Sequence, residues 1–307
     1  MNFISDLIER HTYSSPLDDT SIQFPYLKTH IEPFIISNFP NHISVDSGLF
    51  KNINTILLGI LVYHSIYTVS KIPVYFSKTL QNVLKGDKSK IDFCMRITSF
   101  IQATVICALG LPLYNNDHLN KHRVFATTPY SEFYICLALS YFIWDALMSF
   151  YYLRLFGLGF LIHGIVSALV FFSASYASMI HYYSPLFLLF EISTPFLNIR
   201  WFGLKFKDVI PEWFQLLNNI ILILIFFFIR ICWGWYQVFW LAVDLWEHKH
   251  DDRFVGWVAT IILSCNFVLD ILNVFWFSKM MTVAITTIRQ MIGKAEKNDN
   301  DEKLKLM

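Results

Sequence analysis

The chain has 307 residues, of which 55% are hydrophobic, 18% aromatic and only 15% charged, where a soluble globular domain carries about a quarter charged residues. Too little polar surface is left to enclose that much apolar material in water, which excludes a soluble domain. A formal net charge of +1 supplies no basic stripe of the kind nucleic-acid binding requires, so nucleic acid is excluded as a partner.

Residues 1–52 are mixed in polarity and carry Pro16, Pro25, Pro33 and Pro40, which predicts an irregular extramembrane segment. They lack the basic-then-apolar pattern of a cleaved signal peptide, so the first span is expected to act as the targeting signal. Seven segments then have the ~20-residue length that a helix needs to cross ~30 Å of hydrocarbon. They are 53–75, 92–114, 132–153, 156–178, 183–201, 214–236 and 255–281. The fifth holds Glu191, Pro195 and Asn198, and the alternative is six spans with this stretch re-entrant or buried among its neighbours. The expected fold is an all-α membrane protein with about seven transmembrane helices. Its parts are the segment 1–52, a first helix and loop over 53–90, a main transmembrane domain over 91–282 and a polar tail over 283–307. The five cysteines fall in or beside apolar runs without metal-ligand spacing and read as reduced packing residues.

Short loops rich in Lys and Arg stay on the cytoplasmic side. Lys78, Lys85, Lys88, Lys90, Arg154, Arg200, Lys205, Lys207 and the tail lysines share one side, and the opposite side carries a smaller, more diluted set. The N-terminus is therefore expected in the lumen and the C-terminus in the cytosol. Lys305 and Lys303 stand three and five positions from the carboxyl end. That spacing is similar to the dilysine retrieval signal of endoplasmic reticulum membrane proteins, which coat proteins read in the cytosol. Two lysines are also ordinary in a solvated tail.

Ionisable groups inside a bilayer cost ~2.5–3.5 kcal/mol on insertion scales, so each one deep in a span is a candidate functional residue. Asp145 lies nine residues before Arg154 and His163 nine after it, which brings both ~13 Å from one membrane face in a hairpin. A carboxylate that fixes one imidazole nitrogen leaves the other as base or nucleophile; a buried pair that pins two helices is the competing reading. Glu191 reaches a similar depth from the other face, so three ionisable groups converge on one level. Ser193 and Thr194 beside it are suited to satisfy carbonyls freed by Pro195. Asn266, Asp270 and Asn273 share one helical face of the last span, spaced i, i+4, i+7, and either bond a neighbouring helix or line a polar cavity. Arg230, Arg96 and His64 read as snorkelling or locally paired groups, and Trp213, Trp233, Trp235, Trp240 and Trp246 as interfacial anchors.

Tyr141–Asp145 (YFIWD), LIHG at 161–164, FEISTPFLNIRWF at 190–202 and LNVFWFSKM at 272–280 together resemble the TLC-domain family. That family includes ceramide synthases and translocating-chain-associated membrane proteins. The Glu-x-Ser-x-Pro-Phe and Asn-x-Arg-Trp elements look like its non-synthase members. The resemblance covers roughly 90–281 and implies a six-helix barrel-like bundle open to lipid, preceded by one further helix. In ceramide synthases a His-His pair and a later His-Asp pair are held to transfer an acyl group to an amine. Here Gly164 follows His163, and Phe190-Glu191 stands at the second motif, so two histidines are missing.

Three functions follow as expectations. One is an endoplasmic reticulum protein that handles lipids or maintains membrane lipid composition through Asp145, His163 and Glu191, with Ser193, Asn198, Asn266, Asp270 and Asn273 lining a polar cavity. A second is a lipid acyltransferase using His163 as base or nucleophile, the only case that requires acyl-CoA. The third is a non-enzymatic cargo receptor or membrane-protein chaperone. Membrane lipids are the expected partners, no metal or cofactor is indicated, and the oligomeric state is open.

Overall fold

The computed structural model describes residues 48–305, with side chains described through Arg289, and all regular structure among them is helical. Most of the segment 1–52 and the side chains of Lys303 and Lys305 lie outside the described residues. Seven helical stretches run at membrane length: α1 (Ile53–Phe76), α2 (Gly86–Tyr114), α3 (Pro129–Tyr151), α4 (Leu158–Ala177), α5 (183–205), α6 (Glu212–Glu247) and α7 (Gly256–Lys305). Six of them, all but α5, are long and apolar enough to cross a membrane.

Local chemistry sets where these helices start and break. Thr128 and Ser131 form a reciprocal capping box at the start of α3, with Pro129 in the first turn where its missing N–H costs nothing. The polar stretch α5 is α-helical over Tyr183–Leu188, tightens to 3₁₀ over Leu189–Ile192 and returns to α-helix over Ser193–Lys205. Pro195 accounts for the break, because it has no N–H to donate to the Glu191 carbonyl four residues back.

Despite that break, α5 lies antiparallel along the whole of α2. The Tyr114 hydroxyl donates to the Pro185 carbonyl at 2.8 Å, Arg96 donates to Asn198 Oδ1 at 3.1 Å, and Lys205 donates to Ser89 Oγ at 3.1 Å. The stretch therefore covers the same depth as α2. Side-chain partners of this kind replace the water that an interrupted helix would otherwise need within a bilayer.

Helices α2, α3, α4, α7, α6 and α5 pack in that order, and α5 returns to α2, closing a ring of six. α1 stands outside the ring against α3 and α2. Its seam is aromatic, with Tyr63 edge-on to Tyr141 at 5.2 Å and Tyr67 tilted on Trp144 at 6.1 Å. In lipid such van der Waals packing, rather than removal from water, holds helices together.

Helix α6 extends eleven residues past its expected end at 236. Trp213 and Trp246 near its two ends are 67% and 68% exposed, as anchors should be. Trp233 is not an anchor: it lies within the helix, and its indole N–H donates to the Leu186 carbonyl at 3.1 Å. Between Phe226 and Trp233 the helix widens to π-helical form, a rare feature that often marks functional positions.

Candidate functional site

The widened turn of α6 carries Arg230, a residue only 7% exposed in the interior of the ring. Its Nε donates to the Phe190 carbonyl at 3.1 Å and to Ser193 Oγ at 2.8 Å. One terminal nitrogen reaches Asn273 Oδ1 at 3.4 Å, and the other reaches Thr194 Oγ1 at 3.4 Å and Glu191 Oε1 at 3.6 Å. Thr194 Oγ1 in turn donates to Glu191 Oε2 at 3.0 Å. A buried charge is tolerable only when it is paired and its hydrogen-bonding capacity is used, and both conditions hold here. The 3₁₀ turn of α5 presents Glu191 and the Phe190 carbonyl together, so the break at Pro195 helps to build the receptor for Arg230. Ser193 has a second role besides accepting from Arg230, since its hydroxyl donates to the Phe190 carbonyl at 2.9 Å.

Beside this network is a cavity of about 40 Å³, lined by His163, Glu191, Arg230, Asn266 and Asn273 with Phe142, Phe171 and Leu269 among its apolar walls. That volume exceeds the ~10–15 Å³ needed for one water and suits a single small polar group. Nδ1 of His163 is buried and has no hydrogen-bond partner among the described residues. The imidazole packs edge-on against Trp276 at 5.5 Å, and Trp276 rests on Phe160 at 5.9 Å. Phe160 is 47% exposed on the outer surface, so two rings separate the imidazole from the lipid-facing side.

Neither a hydrogen bond nor an ion pair joins Asp145 to His163. The Asp145 carboxylate lies instead against Gly164: a Cβ built there would be 3.1 Å from Asp145 Oδ2 and 2.9 Å from the Ala146 backbone N and Cα. Gly164 is thus the point where α4 touches the backbone of α3. A second histidine at 164 has no room, which gives the halved His-His pair a physical reason. At the other departure from that pattern, the ring of Phe190 packs against Gly234, whose built Cβ would stand 3.0 Å away.

The α7 face points inward as its spacing requires, with Asn266, Asp270 and Asn273 at 3%, 1% and 3% exposure. Its roles divide. Asn273 bonds Arg230 across helices, Asn266 donates to the Ile262 carbonyl of its own helix at 2.8 Å, and both line the cavity. Asp270 does not line it, and its Oδ2 has no hydrogen-bond partner among the described residues. Asn198 is buried elsewhere: its amide donates to the Arg96 carbonyl and to Ser99 Oγ at 3.2 and 2.9 Å, tying α5 to α2 away from the cavity.

Arg230 is the residue of this buried network that reads from the sequence as a snorkelling group. The signal was present, because apolar residues continue on both sides of it, from Ile220 to Ile229 and again from Ile231, and leave a side chain there no nearby interface.

Comparison with known proteins agrees with this architecture. Residues 92–282, essentially the ring α2–α7, match the TLC domain family model. A TLC domain-containing protein of Saccharomyces cerevisiae is 40% identical over 191 residues, 61% of this chain but only 58% of that relative's length. Topoisomerase I damage affected protein 4 of the same yeast is 36% identical over 199 residues, covering 64% of this chain and 70% of its own. TLC domain-containing protein 4 of Homo sapiens is 26% identical over 221 residues, 69% and 81% of the two chains. A ring of six membrane-length helices with one more outside it, matched over more than half its sequence, makes this chain a member of the TLC domain family of membrane proteins.

Proposed function

We propose that the protein handles membrane lipids, and that the interior cavity receives one oxygen-bearing group of a lipid, an acyl carbonyl or a hydroxyl. The observation that carries this reading is that His163, whose buried Nδ1 has no hydrogen-bond partner among the described residues, and the fixed guanidinium of Arg230 line the same cavity. A free imidazole nitrogen and an Arg N–H offer both acceptor and donor character to such a group. The mostly apolar walls suit the methylenes that flank it, and about 40 Å³ is too small for a whole phosphocholine or sugar head group. Acyl transfer is less well supported, because the carboxylate meant to orient His163 makes no bond to it, and base catalysis depends on that orientation.

We further assign the protein to the endoplasmic reticulum membrane, N-terminus in the lumen and C-terminus in the cytosol. Loop charge and the Lys303–Lys305 tail support this reading, with coat proteins as partners of the tail. Deletion of the protein should shift cellular lipid composition, and His163→Ala alone should reproduce the shift. An unchanged lipid profile after deletion would remove the support for lipid handling.

A further inference from the structure

At the end of the ring where the α2–α3 and α6–α7 connections meet, a second and much larger recess opens. It is a cleft of about 660 Å³ lined by His118, Lys121, His122, Arg123, His248 and Arg253, with Asp244 and Asp251 as its carboxylates. Its size falls in the ~300–1,000 Å³ range of small-molecule sites. A band of buried apolar residues, including Val124, Ile180, Tyr183, Phe187 and Leu241, lies beneath it, and it shares no lining residue with the interior cavity.

The carboxylates of this cleft are already engaged. Asp251 accepts from Arg253 Nε and one terminal nitrogen at 2.9 and 2.8 Å, and also from the Arg253 backbone at 2.9 Å. Asp244 accepts from the Tyr183 hydroxyl inside the ring. Several donors remain unassigned. Arg123 is ion-paired with Asp244 at 3.8 Å without a hydrogen bond, and its guanidinium lies over the Tyr182 ring at 5.1 Å. Its N–H groups make no hydrogen bond among the described residues, so the planar fork still has donors to offer an acceptor with two oxygens. Lys121 has no ion pair among the described residues, and His118 and His122 contact only each other's rings, at 6.0 Å. Three permanent cations, Lys121, Arg123 and Arg253, therefore face two carboxylates; Arg253 pairs with Asp251 and Arg123 with Asp244, which leaves Lys121 as the excess positive charge.

The wall is also held in place before any ligand arrives. Leu119 and Val124 are buried, Asn116 caps the short helix Asp117–Lys121, and the Ile180 N–H donates to the Val124 carbonyl at 2.6 Å. His248 is fixed by its Nδ1 contact with the Asp244 carbonyl at 2.8 Å. A metal ion is not the ligand this chemistry selects, because no three His, Cys, Asp or Glu groups among the described residues converge to hold one.

We propose that this cleft is a binding site for a phosphate-bearing anion, with Arg123 and Lys121 as its principal contacts. The phosphate belongs either to an anionic phospholipid of the adjacent leaflet or to a soluble phosphate ester. Exposed Trp246, with Lys249 3.2 Å above its ring, and exposed Trp257 place the cleft near head-group level, where a lipid phosphate resides.

The test is equilibrium binding to the full chain in a neutral detergent, with phosphatidic acid, phosphatidylcholine, glycerol 3-phosphate and zinc as separate probes. Phosphatidic acid binding alone assigns a lipid phosphate, and binding of glycerol 3-phosphate as well assigns a soluble ester. Either affinity should fall about tenfold in Arg123→Gln, the scale of one charge-assisted hydrogen bond. His118→Asn combined with Lys121→Gln breaks no side-chain hydrogen bond or ion pair among the described residues and should weaken binding similarly. Lys88→Gln with Lys90→Gln, at the far end of the bundle, should leave it unchanged. Binding of neither phosphatidic acid nor glycerol 3-phosphate, phosphatidylcholine bound as tightly as phosphatidic acid, equal binding by all variants, or binding of zinc alone would overturn the proposal.

Discussion

Arg230 and Glu191 lie 3.6 Å apart inside the helical ring, each with a side chain no more than 8% exposed, on helices whose regular hydrogen bonding is broken where they stand. The two irregular turns, one tightened and one widened, bring the charges together and direct a backbone carbonyl at the guanidinium. Removing one partner leaves the other charge buried without compensation, at a cost of ~3–5 kcal/mol. Arg230→Ala and Glu191→Ala should each lower the melting temperature of the purified protein sharply. The double change Arg230→Met with Glu191→Gln should be less harmful than the sum of the single ones, since it removes both charges together. Strict additivity in a thermal-melting cycle would show that the pair is not coupled.

Gly164 carries the contact between α3 and α4. Because a Cβ there meets main-chain atoms of Ala146 at 2.9 Å, relief requires the helices to separate. Gly164→Ala should destabilise by about 1–3 kcal/mol, the usual range for overpacking. Gly164→His, which writes back the paired histidines of the synthase pattern, should be worse and should not confer acyl transfer. Thermal melting together with an acyl-CoA turnover assay checks both statements.

Asn198 separates structural from functional polarity. Its amide holds α5 to α2 through Arg96 and Ser99, well removed from the cavity. Asn198→Leu should cost ~1–3 kcal/mol by leaving Arg96 groups unpaired. The lipid composition supported by the folded fraction should stay the same. A lipid change as large as that of His163→Ala, at equal protein level, would place Asn198 in the site.

The reach of sequence reasoning is visible in these same residues. Run length alone located the helices, because a bilayer demands a continuous apolar stretch and little else. The inward face of Asn266, Asp270 and Asn273 followed from helical periodicity. What escaped was pairing between helices distant in sequence. The 3.6-residue period states which way Arg230 points only while the helix stays regular, and the π-helical turn removes that regularity. For the same reason the chain order does not reveal that the Asp145 carboxylate stands against Gly164 without a hydrogen bond to His163.

His181, in the connection between α4 and α5, supplies a pH dependence. Its ring is buried, with Nδ1 2.9 Å from Ser131 Oγ, and burial pushes it down to about 4. The unfolded chain takes up this proton first, near the ordinary value of about 6.5. Stability from the neutral ring is therefore complete above that pH and is lost progressively as pH falls towards the folded value. Melting midpoints at pH 7.5 and 5 should show a drop in the native protein that is smaller in His181→Asn. Equal drops would assign the acid sensitivity to other groups.

Whether a lipid enters the interior cavity is decided most directly by photo-crosslinking. Cells supplied with a photoactivatable fatty acid would be irradiated, the full chain purified and the labelled residues mapped by mass spectrometry. Label should appear on wall residues such as Phe142, Val170 and Leu269. It should fall several-fold there in His163→Ala, while label on outward-facing Leu61 and Val62 stays the same. Label confined to those outward residues, or cavity label indifferent to His163→Ala, would contradict a lipid-receiving cavity.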